Sequence, residues 1–184
     1  YLNAIADEKS YDTGLKEYLK EQLFVKKISG KKQQRAEFLI ECLEENGYLK
    51  METADLAKYL HIKESELEQE IHFLQEFEPA GVFARNLKEC LLLQLKGVDE
   101  RTADLRLLVQ NYLNEIAQNK LPEISQKTGW SIEKTVDNVS YIKEHLEPIP
   151  GRGFGREKNT FIYPDVTVKE GEDGYRIVYN KERV

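Results

Sequence analysis

Residues 56–81, LAKYLHIKESELEQEIHFLQEFEPAG, and residues 124–151, ISQKTGWSIEKTVDNVSYIKEHLEPIPG, follow one pattern. Each reads short helix, tight turn, longer helix, Glu-Pro, Gly. Leu56 aligns with Ile124, Ile62 with Trp130, Ile71 with Val139 and Leu74 with Ile142. One inserted residue then brings Glu78-Pro79 onto Glu147-Pro148. These are helix-turn-helix proportions, met twice.

Helical periodicity extends on both sides of the first copy. Leu15, Tyr18, Leu19, Leu23 and Phe24 recur at helical spacing until Ser29-Gly30. Ala36, Leu39, Ile40 and Leu43 form the next apolar stripe, which Gly47 is expected to close as a left-handed C-cap. Thr53 is expected to cap the helix 54–60, and Leu67, Ile71 and Leu74 to point inward from a helix over 64–77. Asn86 suits the N-cap of a helix running to Leu95.

Beyond Gly97 the spacing predicts one long helix over 100–118, carrying Leu105, Leu108, Val109, Tyr112, Leu113 and Ile116. Pro122 suits the first turn of a short helix ending at Gly129. Ser131 suits the cap of the next, with Val136, Val139, Ile142 and Leu146 inward.

After residue 150 the composition changes. Gly151 to Gly155 is glycine-rich and basic, and 161–168 with 175–179 read as a β-hairpin turned at 170–174. The expected architecture is therefore mainly α. It has a first helical subdomain over 10–97, a second with a helix-turn-helix-like unit over 98–150, and a Gly-rich basic loop and β-hairpin over 151–184 leading to a missing C-terminal region. Tyr1 is not Met and the chain ends just past a strand pattern, so a piece of a longer protein is expected.

The totals narrow the function classes. The chain has 184 residues, net charge −6, 40% hydrophobic and 10% aromatic residues, which suits a globular fold rather than a disordered one. An acidic total lacks the basic footprint of a freestanding nucleic-acid binder. No apolar run approaches the ~18 residues of a membrane span. Cys42 and Cys90 share no CxxC spacing and read as buried reduced thiols, which fits a cytoplasmic setting. His61 and His72 lie about three helical turns apart, ~16 Å along an axis, too far to share a metal unaided. No GxSxG or recognisable reactive cysteine is present. No cofactor, metal or catalytic set is expected, so the chain reads as a binding module rather than an enzyme.

Local charge bears on nucleic acid. Residues 51–80 hold Lys58 and Lys63 against eight acidic residues. A helix beginning Glu64-Ser65-Glu66-Leu67-Glu68 would be repelled by phosphates ~1.7 Å apart along the duplex axis. The second copy is near neutral. A DNA-binding regulator using residues 122–158 is the rival reading. Arg152, Arg156 and Lys158, flanking Phe154, are candidate auxiliary nucleic-acid contacts, although the same glycine-rich stretch also reads as a linker.

The stretches FLIECLEENGYL at 38–49, LQEFEPAGVFARNLKECLLLQL at 74–95, EPIPGRGF at 147–154 and YPDVTVK at 163–169 carry a further signal. In this order and spacing they resemble the middle region of the enhancer-dependent sigma factors of bacteria, the sigma-54 class. The resemblance spans roughly residues 10–180. Phe83 stands where the family usually carries glycine, Asn86 where Asp is common, and Ile149 where arginine is common.

The resemblance implies a mainly helical, non-catalytic region in two subdomains that binds core RNA polymerase. It implies that promoter DNA is read mainly by regions absent from this chain, and that an ATP-hydrolysing activator acts on the full-length factor. On the loop at 78–85, Glu78, Phe83 and Arg85 are the candidate polymerase contacts, with Phe77 as packing support. Tyr48, Leu49 and Leu92 are expected in the core.

Overall fold

The computed structural model describes residues 14–154, together with the backbone of 166–171 and 174–179. The chain is mainly helical. Nine α-helices lie among the described residues: α1 Leu15–Val25, α2 Lys31–Glu41, α3 Thr53–Leu60, α4 Glu64–Leu74, α5 Leu87–Gln94, α6 Glu100–Asn111, α7 Leu113–Ala117, α8 Leu121–Thr128 and α9 Ile132–His145. A 3-10 turn spans Pro150–Gly153. Two antiparallel strands, β1 Val166–Gly171 and β2 Gly174–Tyr179, pair Val166 opposite Tyr179 and Gly171 opposite Gly174. The remainder of the hairpin expected over 161–179, including 161–165 and 172–173, lies outside the described residues. Among the described helices, none is long and apolar enough to cross a membrane.

The repeat survives into the backbone. α3 and α4 begin at 53 and 64, and α8 and α9 at 121 and 132, each pair offset by 68 residues. The turns match as well. His61 in the first unit (φ 53°) and Gly129 in the second (φ 73°) are both left-handed, at equivalent positions. Glycine enters that region freely and histidine is among the side chains that tolerate it.

Buried side chains form two clusters. The first gathers Leu15, Leu19 and Leu23 of α1, Leu39 and Ile40 of α2, Leu56 of α3, and Leu67, Ile71 and Leu74 of α4 around Phe77 and Phe83. The second gathers Leu105, Leu108 and Val109 of α6, Ile116 of α7, Ile124 of α8, and Val139 and Ile142 of α9. Leu91 and Leu95, from α5 and just beyond it, also belong to the second cluster.

Several local expectations change. The helix expected over 100–118 breaks at Tyr112 (φ −129°), which ends α6 and begins α7. Ile116 of α7 is nonetheless buried in the second core, as its spacing predicts. Gly47 is left-handed (φ 89°) but does not cap a helix, since α2 ends at Glu41. It turns a short loop in which Gly47 N–H donates to the Glu44 carbonyl at 2.9 Å. α4 ends at Leu74 rather than 77. Glu52, not Thr53, is the N-cap of α3. Val136 is 41% exposed, and Thr135 and Asn138 take the buried positions beside Val139. Phe24 lies outside the core entirely. Leu49 is buried, whereas Tyr48 and Leu92 are half-buried.

Candidate functional site

The loop between α4 and α5 is built from the inside outward. Phe77 and Phe83 are both fully buried in the first core. Phe83 is left-handed (φ 61°), so this position keeps a glycine-like backbone although it carries a bulky side chain. L-residues pay about 1–2 kcal/mol for that conformation. Two backbone bonds help hold it: Phe83 N–H donates to Gly47 O at 3.0 Å, and Leu49 N–H to Ala84 O at 3.0 Å. Gly81 (φ 94°) lies against α5. A Cβ there would sit 2.8 Å from Cys90 Sγ and 3.0 Å from the Cys90 carbonyl, so only glycine fits without displacement.

Arg85 closes the loop over this core. Its guanidinium donates to Glu68 Oε1 at 2.7 Å and to both Glu89 oxygens at 3.0 and 3.1 Å, while its backbone N–H donates to Glu89 Oε2 at 2.8 Å. Gln75 Nε2 bridges Glu89 Oε1 at 2.9 Å and the Phe83 carbonyl at 3.2 Å. Asn86 caps α5 as expected, accepting from Glu89 N–H at 3.0 Å. Burial pushes the Glu89 carboxyl upward. The hydrogen bonds from Arg85 and Gln75, with the Arg85 charge, overcome this and leave it below its ordinary value. The bond to Glu89, more than that to Glu68, holds the Arg85 guanidinium in its charged form.

Each Glu-Pro turn is gripped by a glutamine carboxamide. Gln22 of α1 donates to the Glu78 carbonyl at 2.5 Å and accepts from the Glu78 N–H at 2.9 Å. Gln94 of α5 donates to the Glu147 carbonyl at 2.7 Å and accepts from the Glu147 N–H at 2.8 Å. The Glu78 carboxylate is left exposed, 3.9 Å from Lys96.

Past Glu147 the chain turns back to the first core. Tyr48 Oη donates to the Pro148 carbonyl at 2.7 Å and Gly151 N–H to the Asn46 carbonyl at 3.1 Å. The Phe154 ring lies 5.3 Å from that of Tyr18. Residues 147–154 thus strap the end of the second helix-turn-helix unit to the α1 and 44–48 side of the first core. Arg152 on this strap lies 3.5 Å from Glu147 and is mostly exposed. Arg156 and Lys158 lie outside the described residues.

The two helix-turn-helix units show different outer faces. Much of the acidic charge on α4 is spent internally. Arg35 pairs with Glu66 and Glu70, and Arg85 with Glu68. On α9, the equivalents of Glu64 and Glu68 are Ile132 and Val136, 42% and 41% exposed. Base edges are read with paired donors and acceptors. The outward residues of the α9 leading turn are Ile132, Glu133 and Val136, and its Lys134 is paired with Asp104 at 2.7 Å, so few groups are left to read bases in the DNA-reading alternative over 122–158.

Of the three candidate contacts, Glu78 and Arg85 thus reach the surface, Arg85 with most of its donors already engaged. Phe83 offers no surface in this conformation. Gln22, Gln94, Tyr48 and Gly151 organise the site. Gln94, Tyr48 and Gly151 lie within the stretches that carry the resemblance, but their bonds were not read from them, and Gln22 lies outside every quoted motif. Only the recurrence of Glu-Pro in both copies hinted that something would hold it. Among the described residues no group of three His, Cys, Asp or Glu could hold a metal ion.

A family model described as "Sigma-54 factor, core binding domain" matches residues 4–184. An RNA polymerase sigma-54 factor of Bacillus subtilis is 34% identical over 160 residues, covering 85% of this chain and 36% of that protein. RNA polymerase sigma-54 factor 1 of Bradyrhizobium diazoefficiens is 32% identical over 163 residues, covering 89% of this chain and 33% of that protein. The chain spans about a third of the length of these curated relatives. A crystal structure of Aquifex aeolicus sigmaN bound to promoter DNA aligns with 89% of this chain and 45% of that one, at 21% identity and a TM-score of 0.49.

Proposed function

This chain belongs to the sigma-54 factor family through its core-binding domain, and from that membership we propose that it docks on core RNA polymerase as a non-catalytic module. The observation that supports this most is the extent of the family match. It runs across both helix-turn-helix units, the loop at 78–86 and the strap at 147–154, so the framework described above is the matched region itself. We propose the two core clusters as two subdomains of that module.

The loop at 78–86 is the proposed contact surface. Glu78 presents an exposed carboxylate on a backbone fixed by Gln22. Arg85 presents the outer edge of a guanidinium anchored by two carboxylates. Phe83 supports them from beneath. Arg152, with Arg156 and Lys158, is kept as an auxiliary nucleic-acid contact. In the full-length, cytoplasmic factor, promoter DNA would be read mainly through other regions, and an ATP-hydrolysing activator would remodel the complex.

Titration of the chain against sigma-free bacterial core polymerase tests the reading. Saturable binding is expected, weakened by about 1–2 kcal/mol in Glu78→Lys if this carboxylate is an interface anchor. Arg85→Ala is the second probe, scored only after its fold is verified, because it also breaks internal bonds. Absence of saturable binding by the folded parent chain would remove the proposal. Unchanged affinity in both variants would move the contact surface elsewhere.

A further inference from the structure

The turn between α1 and α2 carries charge and apolar surface that the described residues leave unpartnered. Residues 24–32 read Phe-Val-Lys-Lys-Ile-Ser-Gly-Lys-Lys. From Gln22 to Ala36 the chain has five cationic residues and no acidic one, within a protein of net charge −6. Arg35 is spent on Glu66 and Glu70. Lys26, Lys27, Lys31 and Lys32 are exposed and form no ion pair among the described residues. Beside them Phe24 is 84% and Val25 74% exposed.

This arrangement works against local stability. Lys31 and Lys32 open α2, whose first turn holds no acidic residue and whose N-cap, Gly30, makes no side-chain cap bond. Positive charge at the positive end of a helix dipole is unfavourable, and Phe24 and Val25 leave apolar surface in water. Two local rules are broken at one tip, with no compensating contact described within the fold, which is the mark of a functional position.

The chemistry selects the partner. Four ammonium groups with no ion pair among the described residues, and the N–H groups of the first turn of α2, suit phosphate oxygens. An exposed aromatic ring beside them suits a base or sugar face, as on single-strand binding surfaces. An acidic protein surface with an apolar pocket is the competing occupant; the dense, regular charge of a phosphate backbone suits four clustered lysines more closely. We propose that the α1–α2 tip binds DNA, with Lys26, Lys27, Lys31 and Lys32 on the phosphate backbone and Phe24 packed on a base or sugar. This contact lies outside both helix-turn-helix units and does not depend on polymerase docking.

The test is anisotropy titration of the whole chain against labelled duplex and single-stranded DNA over a range of salt. Four phosphate contacts give a slope of about −3.6 in log K against log salt for duplex DNA. Replacing the four lysines by Gln is expected to flatten that slope and weaken binding at least about tenfold. Phe24→Ala is expected to weaken single-strand binding more than duplex binding. Lys31→Glu separates binding from folding, because it puts an acidic residue in the first turn of α2 and should raise the melting temperature while lowering DNA affinity. Lys32 is left in place because it shares a cavity with Glu66 and Glu70.

Retention of the parent's affinity and slope by the four-Gln variant overturns the proposal. So does competition by polyglutamate or anionic phospholipid vesicles as effective as that by unlabelled DNA of equal charge, which would make the tip a general anion surface.

Discussion

Gln94 holds Glu147 by both backbone groups, its carboxamide N–H on the Glu147 carbonyl at 2.7 Å and its carboxamide oxygen on the Glu147 N–H at 2.8 Å. Gln22 does the same to Glu78, the equivalent residue of the first repeat. The Gln94 clamp is partly buried and the Gln22 clamp is exposed. Losing a buried pair of bonds strands backbone polar groups, at about 1–3 kcal/mol per group. Gln94→Leu is therefore expected to cost about 2–3 kcal/mol, and Gln22→Leu under about 1 kcal/mol. Urea denaturation of both variants measures the order, and equal losses would mean that burial does not set the clamp's strength.

Phe83 inverts the usual ranking of alanine and glycine. Phe83→Ala removes a fully buried ring and should cost about 3–5 kcal/mol. Phe83→Gly removes the same ring but relieves a left-handed backbone, so it should be more stable than the alanine variant by roughly 1 kcal/mol. Paired thermal melts decide the ranking. A glycine variant below alanine would show that the backbone relaxes once the ring is gone.

Glu89 should make stability fall in acid. Its carboxyl titrates below its ordinary value of 4.5 because Arg85 and Gln75 bond the ionised form against the opposing pull of burial. A depressed folded-state value means that the unfolded chain binds the proton more readily. The contribution is then complete above the unfolded value and is lost as pH falls through the folded one. The stability gap between the parent and Glu89→Gln should be constant near neutrality and shrink on acidification below about pH 4.5. A gap independent of pH would place the stabilisation in shape rather than charge.

Gly151 leaves no room for a side chain. A Cβ there would lie 2.0 Å from the Glu45 carbonyl oxygen. Gly151→Ala must push the strap off the loop at 44–47, and a cost of about 1–3 kcal/mol is expected. Amide exchange provides the local readout. Gly151 N–H, bonded to Asn46 O, should lose protection before the amides of α4 and α9 do. Unchanged protection at Gly151 would count against the strap.

The local syntax of the fold was legible in the sequence. The caps at Asn86 and Ser131, the proline in the first turn of α8 and the end of that helix at Gly129 all follow from interactions within about four residues of chain, and the recurrence of the pattern 68 residues on is written in the sequence itself. The resemblance to the sigma-54 class was legible too, because several motifs kept their order over most of the chain. What a four-residue window could not decide was which face of a helix meets which neighbour. Helical spacing assigned Phe24 and Val136 to the core with the same logic as Leu23 and Val139, and only packing separated them. The acidic run on α4 looked free because its partners, Arg35 and Arg85, lie 31, 35 and 17 residues away from Glu66, Glu70 and Glu68.

Phe83 looked like a surface anchor because the burial of a loop residue depends on the helices that close over it. The clamps and the strap were decided by tertiary structure alone. A glutamine on a helix bonds whatever backbone the fold brings within 3 Å, and nothing within its own turn records that the partner lies 53 residues further on.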